Sequence, residues 1–209
     1  MIKVYAIPVS LYCAKLRILM RHKNLDWQEI LPPGGYGSAE YATLVPAGNL
    51  PALEHNGFLL GDSEAIAEYL NEICPEPDML PGDAKQRAAI RARSRFHDTR
   101  LEPAVRSLFP HIKNANRDTA FVKQQWSVVQ QGVDQLTRLL PVTIEVLTLG
   151  DCGFPITCAW IEELARHFGL EPASNDRVKD YLGALERFDA VASELADYRP
   201  RLVEWLGDQ

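Results

Sequence analysis

Residues 48–66 decide the fold and read Gly48-Asn49-Leu50-Pro51-Ala52-Leu53-Glu54-His55-Asn56-Gly57-Phe58-Leu59-Leu60-Gly61-Asp62-Ser63-Glu64-Ala65-Ile66. The stretch predicts a short strand, a second strand and a helix start, and Asn56-Gly57 between the strands is the favoured two-residue hairpin turn. A proline has no backbone N–H to donate to a strand ladder, so Pro51 belongs at the first residue or the edge of a strand. The backbone of Leu50 is then free to pair with a peptide-like ligand.

The end of this stretch has the residue types that begin a helix. Asp62 and Ser63 precede apolar residues at helical spacing, which are Ile66, Tyr69, Leu70 and Ile73. A carboxylate, a hydroxyl and the free N–H groups of a helix N-terminus therefore meet at one point. Such a corner can hold both an amino group and a carboxylate.

Towards the N-terminus, strand and helix patterns alternate and predict a β-α-β unit followed by an α-β-β-α unit, with parallel pairing of the first two strands. The Pro- and Gly-rich loop at residues 32–37 either borders a site or is a plain connector. The predicted elements are strands at Lys3–Ile7, Trp27–Ile30, Ala52–His55 and Phe58–Leu60, and helices at Leu11–Lys23 and Ser38–Leu44.

The second part of the chain has helical periodicity and predicts an all-helical domain. We expect two domains, residues 1–76 and residues 84–209, joined by a Pro- and Gly-rich linker at residues 77–83. Val142–Leu149 has the composition of a strand but no partner strand nearby. Its pattern therefore does not decide whether the segment is a strand. The predicted helices are Ala84–Ile112 with a kink at Pro103, Thr119–Leu140, Ile156–Phe168, Asp176–Phe188 and Ala190–Leu206.

The composition is that of an ordinary globular protein of 209 residues with a formal charge of −6. The acidic balance argues against nucleic acid or an anionic membrane as a partner. There is no signal-peptide pattern, and no run reaches the roughly 20 apolar residues that a bilayer requires, so we expect a cytoplasmic protein. The four cysteines lack a C-x-x-C pair and a zinc-type His spacing, so we expect reduced thiols and no metal.

Three segments give the chain a resemblance to the cytosolic glutathione transferase superfamily. They are Ser10-Leu11-Tyr12-Cys13-Ala14-Lys15-Leu16-Arg17, Asn49-Leu50-Pro51-Ala52-Leu53 and Asp62-Ser63-Glu64-Ala65-Ile66. The resemblance covers essentially the whole chain. It implies an α/β, thioredoxin-like N-terminal domain of βαβ-αββα order that binds glutathione as co-substrate, followed by an all-helical C-terminal domain. Within the superfamily the chain resembles serine-type, bacterial-like members of no assigned class.

The resemblance places Ser10 where serine-type relatives have their catalytic hydroxyl. A free thiol has a pKa of about 8.5, and making its thiolate the majority form near neutral pH requires about 2 kcal/mol. A charge-assisted hydrogen bond from Ser10, together with the helix N-terminus, can supply this energy. Ser10 is therefore expected to donate to the sulfur of glutathione, or alternatively only to cap the helix.

Two neighbours of Ser10 offer other chemistry. Tyr12 can donate a phenolic hydrogen bond to a thiolate or line the substrate pocket, although it lies two positions beyond the expected site. Cys13 could support reductive chemistry, but it shares a helix face with Leu16 and Met20. That placement favours packing as a small apolar group.

The resemblance also implies the glutathione contacts. The backbone of Leu50, with Pro51 in the cis form, would pair with the cysteinyl unit as an added strand. Asp62 and Ser63 would bind the γ-glutamyl end, and capping of the helix is the alternative for both. Asn49 would lie near the glycine carboxylate.

In the helical domain, the resemblance places His97 and Arg100 on the segment that lines the pocket for the electrophile. An anionic electrophile would be held by Arg100 or Arg106. Relatives begin their central helix with a Ser or Thr followed three residues later by Asp, which is a capping pair. Here Thr157 is followed by Trp160, so we expect the reciprocal cap to be lost.

The function we expect is that of a glutathione transferase, which conjugates glutathione to a small electrophile held between the domains. One alternative is glutathione-dependent cis–trans isomerisation of a maleyl-type acid. Others are a reductive reaction at Cys13 and a non-catalytic glutathione-binding protein. The long helices that begin at Ala84 and Thr119 would form a homodimer interface, as they do in relatives.

Overall fold

A computed structural model describes residues 1–209 and contains one four-stranded sheet. β1 is parallel to β2, and the other neighbours in the order β2-β1-β3-β4 are antiparallel. Three helices complete the βαβ-αββα order, so the predicted thioredoxin-like fold is confirmed. The elements are β1 (Ile2–Tyr5), α1 (Leu11–His22), β2 (Trp27–Ile30), α2 (Ala39–Leu44), β3 (Ala52–His55), β4 (Phe58–Gly61) and α3 (Ser63–Ile73).

The rest of the chain is helical, as predicted. Val142–Leu149 forms no strand and belongs to an irregular segment between two helices. No helix combines the length and the hydropathy that crossing a bilayer requires. The helices are α4 (Ala84–Phe96), α5 (Glu102–Arg106), α6 (Thr119–Leu136), α7 (Phe154–Phe168), α8 (Asp176–Leu185) and α9 (Asp189–Gly207).

The prediction of one helix over Ala84–Ile112 is wrong. The chain opens into a π turn at His97–Leu101 between α4 and α5, and after Arg106 only a short 3-10 turn follows. Pro103 has no N–H to donate to the carbonyl of Thr99, as an α-helix requires, and the wider turn lies immediately before it. The expected kink at Pro103 is therefore an interruption of the helix.

Helix α1 joins the two halves of the molecule, because it packs against α3 on one side and against α7 and α9 on the other. The buried Arg17 of α1 pairs with Glu29 of β2 and, at 3.0 Å, with Glu194 of α9. Tyr198 of α9 donates its hydroxyl to the carbonyl of Val9 at 2.8 Å. These bonds fix the helical half against the sheet.

The structure before α7 differs from the expectation that the capping pair of this helix is lost at Thr157 and Trp160. Thr157 lies inside α7, and Gly153, which precedes the helix, provides no side-chain cap. The Thr-x-x-Asp pair of this region is formed by Thr148 and Asp151. The N–H and the hydroxyl of Thr148 both donate to Oδ2 of Asp151. The capping-type pair is therefore present just ahead of α7, and Trp160 replaces no capping residue.

Asp151 also joins other elements to this loop. It is only 1% exposed, and it pairs with Arg93 of α4 at 2.9 Å. The hydroxyl of Tyr181 on α8 donates to the same carboxylate at 2.6 Å. One carboxylate thus holds α4, α8 and the approach to α7 together.

Replacing Asp151 by asparagine is expected to lower the free energy of unfolding by about 3 to 5 kcal/mol, because the buried guanidinium of Arg93 loses its anion. Urea unfolding followed by circular dichroism measures the change. The exposed Asp180 of α8 supplies a control, and its change to asparagine should alter the unfolding free energy by less than about 0.5 kcal/mol. A loss below about 1 kcal/mol in Asp151→Asn would contradict this role.

Candidate functional site

Two adjoining clefts lie where the sheet domain meets the helices, and Tyr12, Asn49 and Leu50 line both of them. The first cleft has a volume of about 500 Å³ and is mostly apolar. The second has a volume of about 320 Å³ and is mostly polar. The first is lined also by Ile7, Val9, Ser10, Leu11, Tyr36, Arg106, Phe109, Trp160 and Trp205, and the second by Asp62, Ser63, Arg95, Asp98 and Thr99.

Leu50 has an unsatisfied backbone at the junction of the two clefts. The Leu50–Pro51 peptide bond is cis, as expected, and Leu50 is only 8% exposed. Neither the N–H nor the C=O of Leu50 bonds to another protein group, although buried backbone groups are nearly always paired. The side-chain oxygen of Asn49 is likewise buried without a partner. This arrangement fits a ligand with its own backbone amide.

The far end of the second cleft is the start of α3. Oδ1 of Asp62 accepts from the N–H groups of Glu64 and Ala65 at 3.0 Å each, so Asp62 caps the helix. Asp62 does so from a left-handed backbone conformation with φ of 73°, which costs a non-glycine residue energy and is typical of binding sites. The half-buried Ser63 makes no side-chain hydrogen bond within the protein, so its hydroxyl is free for a ligand.

Ser10 caps α1 and still has a hydrogen to donate. Its Oγ accepts from the N–H of Cys13 at 3.3 Å, and its hydroxyl donates to no protein group. Ser10 lines the first cleft beside Leu50. The capping role and the donor role proposed from the sequence are therefore compatible in one side chain.

The two neighbours of Ser10 are less suited to activate a thiol. Tyr12 already donates its hydroxyl to Glu102 at 3.0 Å, and burial together with that carboxylate raises the pKa of the phenol well above its usual value. Cys13 is 1% exposed, and burial raises the pKa of its thiol. Cys13 therefore packs as an apolar residue and does not reach either cleft.

A buried ion cluster supports the second cleft from behind. Nζ of Lys15 lies 2.7 Å from Glu64 and 2.9 Å from Asp98, and Ser94 donates to the same Glu64 oxygen. The other oxygen of Glu64 has no partner. Burial alone would raise the pKa of Asp98, but the hydrogen bond from His97 and the charge of Lys15 lower it to about 2. Asp98 thus presents a fixed negative charge to the second cleft.

Two predicted pocket residues lie elsewhere. His97 is buried and hydrogen-bonded to Asp98 at 2.6 Å and to Thr157 at 2.7 Å. It fits there only because position 153 is glycine, since a Cβ on Gly153 would lie 2.5 Å from the His97 ring. Arg100 is exposed. Neither His97 nor Arg100, which were expected to line the electrophile pocket, lines the first cleft.

The first cleft has an aromatic wall, of which the sequence did not indicate Trp160 and Trp205. Phe109 stacks on Trp160 with ring centres 4.4 Å apart, and Trp205 meets Trp160 edge-on at 5.5 Å. Tyr36 of the Pro- and Gly-rich loop faces the same cleft, so this loop does border the site. Arg106, which was named from the sequence as an anion-binding residue, is the one cation that lines this cleft.

Comparison with known proteins gives a family for the sheet domain. The model of the glutathione S-transferase N-terminal domain matches residues 4–78. Maleylacetoacetate isomerase of Rattus norvegicus is 29% identical over 145 residues, which are 66% of this chain and 64% of that protein. Glutathione S-transferase Z1 of Arabidopsis thaliana is 34% identical over 146 residues, which are 66% of this chain and 65% of that protein. The chain thus spans just under two thirds of the length of these relatives.

Among solved structures, a bacterial maleyl pyruvate isomerase, a zeta-class glutathione S-transferase, has a TM-score of 0.75 with this chain. The alignment covers 92% of this chain and 95% of that one at 24% identity. At this identity the comparison shows a shared fold over both halves of the molecule.

The charge of Asp98 makes a pH-dependent contribution to stability. Its pKa is below the ordinary 3.8, so the contribution is present above about pH 4 and is lost as the pH falls towards 2. Asp98→Asn is expected to lower the free energy of unfolding by about 2 kcal/mol near neutral pH, and by progressively less below about pH 4. Urea titrations from about pH 7 to 3 measure this difference, with exposed Asp208→Asn as the control. A difference that does not change with pH would contradict the assignment.

Proposed function

Because the chain belongs to the cytosolic glutathione transferase superfamily, we propose that it is a glutathione-dependent enzyme. The second cleft would bind glutathione, and the first would bind a small electrophile. The observation that carries the proposal is the unpaired backbone of Leu50 at the junction of the clefts. Ser10 lies at the same junction, so a thiol held there would face both its hydroxyl and the electrophile.

Each end of glutathione would have a partner among the residues of the second cleft. The backbone of Leu50 would pair with the cysteinyl unit, as in the addition of a short strand. Ser63 would donate its hydroxyl and N–H to the γ-glutamyl carboxylate at the positive end of α3. Asp62 and Asp98 would offer negative charge to the γ-glutamyl amino group. The amide of Asn49 would lie towards the glycine carboxylate.

Ser10 would make the thiol of glutathione reactive. The Oγ of Ser10 accepts from the N–H of Cys13, and its own hydrogen has no acceptor within the protein, so it would be available to a thiolate in the cleft. One such hydrogen bond to an anion contributes about 1.5 to 3 kcal/mol, and the N-terminus of α1 adds about 0.3 to 1 kcal/mol. Together these are enough to make the thiolate the main form near neutral pH.

Relatives favour isomerisation over conjugation as the overall reaction. The rat relative is named maleylacetoacetate isomerase, and the bacterial structural relative is named maleyl pyruvate isomerase. When bound, glutathione supplies a thiolate that can add to an electron-poor double bond. An isomerase then returns glutathione unchanged, whereas a transferase releases it joined to the product. We therefore propose isomerisation of a cis-unsaturated acid as the first candidate reaction.

Conjugation is a second candidate, and the composition of the first cleft favours it. Nine of the twelve lining residues are hydrophobic, which suits retention of an apolar electrophile. Reduction at Cys13 has no such support, because the thiol is buried away from the clefts. A protein that binds glutathione without catalysis is the outcome in which neither substrate type is turned over.

We also propose that the protein is a homodimer. The hairpin and α3 expose Phe58 (49%) and Ile73 (40%), and the neighbouring α4 is rich in exposed arginines. Aromatic residues and arginine are enriched at protein interfaces. Light scattering on the purified full chain would give the mass of the assembly directly.

Ser10→Ala is expected to lower kcat/KM for any glutathione-dependent reaction by about 10- to 100-fold, because the thiolate loses its hydrogen-bond donor. The affinity for glutathione should change little, and the pKa of the bound thiol, followed by its ultraviolet thiolate absorbance, should rise by about 1 to 2 units. Asn175→Ala removes a similar helix cap far from the clefts and serves as the control. An unchanged thiol pKa in Ser10→Ala would remove Ser10 from the mechanism.

The fate of glutathione separates the two candidate reactions. With a maleyl-type acid as substrate, isomerisation should proceed at a constant concentration of free thiol. With a chloronitrobenzene, conjugation should consume one thiol for each product formed. Turnover of the first substrate alone supports isomerisation, and turnover of the second alone supports transfer. Binding of glutathione without turnover of either would contradict an enzymatic role on these substrate classes.

A further inference from the structure

We propose that Arg95 binds the α-carboxylate of the γ-glutamyl unit, and that the second cleft thereby selects glutathione over thiol peptides that lack this carboxylate. The inference rests on the proposed function and adds a specificity-determining residue to it. The side chains assigned so far to the γ-glutamyl end are Asp62, Ser63 and Asp98, which include two carboxylates and no cation.

Arg95 reaches the second cleft because α4 runs beside α3 in the opposite direction. Arg91 of α4 bonds to Glu68 of α3 at 2.8 Å. Ser94 donates to Glu64, one turn nearer the start of α3, at 2.7 Å. Arg95 lies one turn beyond Arg91 on the same face of α4. Its side chain therefore lies opposite the start of α3, and it lines the second cleft.

The guanidinium of Arg95 has no anion of its own within the protein. Arg91 pairs with Glu68 at 2.8 Å. Arg93, two residues further on, pairs with Asp151 at 2.9 Å. Arg95, by contrast, forms no salt bridge, and its side chain makes no hydrogen bond. It is also exposed, so its N–H donors are available to a ligand.

Arg95 is the one cation that lines the second cleft, which is otherwise acidic. Asp62 and Asp98 line the same cleft. Lys15 lies behind it, with a side chain only 4% exposed, and its charge is shared between Glu64 and Asp98. Glutathione has two carboxylates and one ammonium, and a thiolate adds a third negative charge. Because like charges repel, an anionic peptide requires a cation in this cleft.

The charges of the cleft fit the α-amino acid end of the γ-glutamyl unit, where an ammonium and a carboxylate are attached to one carbon atom. Asp62 and Asp98 would provide negative charge for the ammonium. Ser63, at the positive end of α3, and Arg95 would provide donors for the carboxylate. A guanidinium can donate two parallel N–H bonds to a carboxylate, which adds directional recognition to the attraction of charge.

Calorimetric titration of the full chain with three thiol peptides tests the inference. Arg95→Gln is expected to weaken the binding of glutathione about five- to tenfold. γ-Glutamylcysteine, which keeps the α-carboxylate but lacks glycine, should lose affinity by the same factor. 4-Aminobutyryl-cysteinylglycine, which lacks the α-carboxylate, should bind the unaltered chain more weakly than glutathione does, and should lose less than about twofold in Arg95→Gln. Arg95→Lys keeps the charge without the planar fork and should recover part of the loss.

Arg87→Gln is the control, because Arg87 is an exposed residue two turns earlier on α4 that lines neither cleft. It should leave all three affinities unchanged. An equal loss for all three peptides in Arg95→Gln would indicate a general effect of charge, and a loss confined to the two peptides with glycine would place Arg95 at the glycine carboxylate. Either result, or an unchanged affinity for glutathione, would overturn the inference and leave the glutathione site standing. If the unaltered chain binds none of the peptides, the proposed function fails and the inference fails with it.

Discussion

The structure depends on two cations that α1 carries into the interior, Lys15 and Arg17. Their side chains are about 4% and 5% exposed, and a buried cation is tolerated only when anions surround it. Those anions come from both halves of the molecule. Glu64 and Glu29 belong to the sheet domain, whereas Asp98 and Glu194 come from the helical domain. The two halves must therefore be oriented so that carboxylates from both reach Lys15 and Arg17. This orientation determines the shape of both clefts.

The clefts lie along the seam that these ion pairs define. Each is built from loops of the sheet domain on one side and from α4, α5 or α9 on the other. The sheet domain supplies polar groups that have no partner within the chain, namely the backbone of Leu50, the hydroxyl of Ser63 and the hydroxyl hydrogen of Ser10. The helical domain supplies a fixed carboxylate, Asp98, to one cleft and an aromatic wall to the other.

The sequence predicted those helices, strands and turns that depend on signals between neighbouring residues. Residues 48–66 contain a proline, an Asn-Gly turn and a helix cap, each of which acts over a few positions, and the elements they predict are present. His97 and Arg100 were named from the resemblance, and both belong to a π turn, which periodicity does not show and in which His97 is buried and Arg100 exposed. The pairing of Thr148 with Asp151 was not predicted because Thr157, which lies inside α7, was taken as the capping residue. Trp160 and Trp205 lie 45 residues apart and meet only through packing of α7 and α9, so no local pattern could join them.

The geometry of Ser10 has a consequence for the proton of a bound thiol. The Oγ of Ser10 accepts from the N–H of Cys13, while its own hydrogen has no acceptor within the protein. A thiolate bound beside Ser10 would receive that hydrogen bond, which stabilises the ionised form of the ligand relative to the thiol. In the proposed complex, the site would therefore select the ionisation state of its ligand, and binding would release a proton to solvent. A helix cap would thus couple the occupancy of the site to the acidity of the solution.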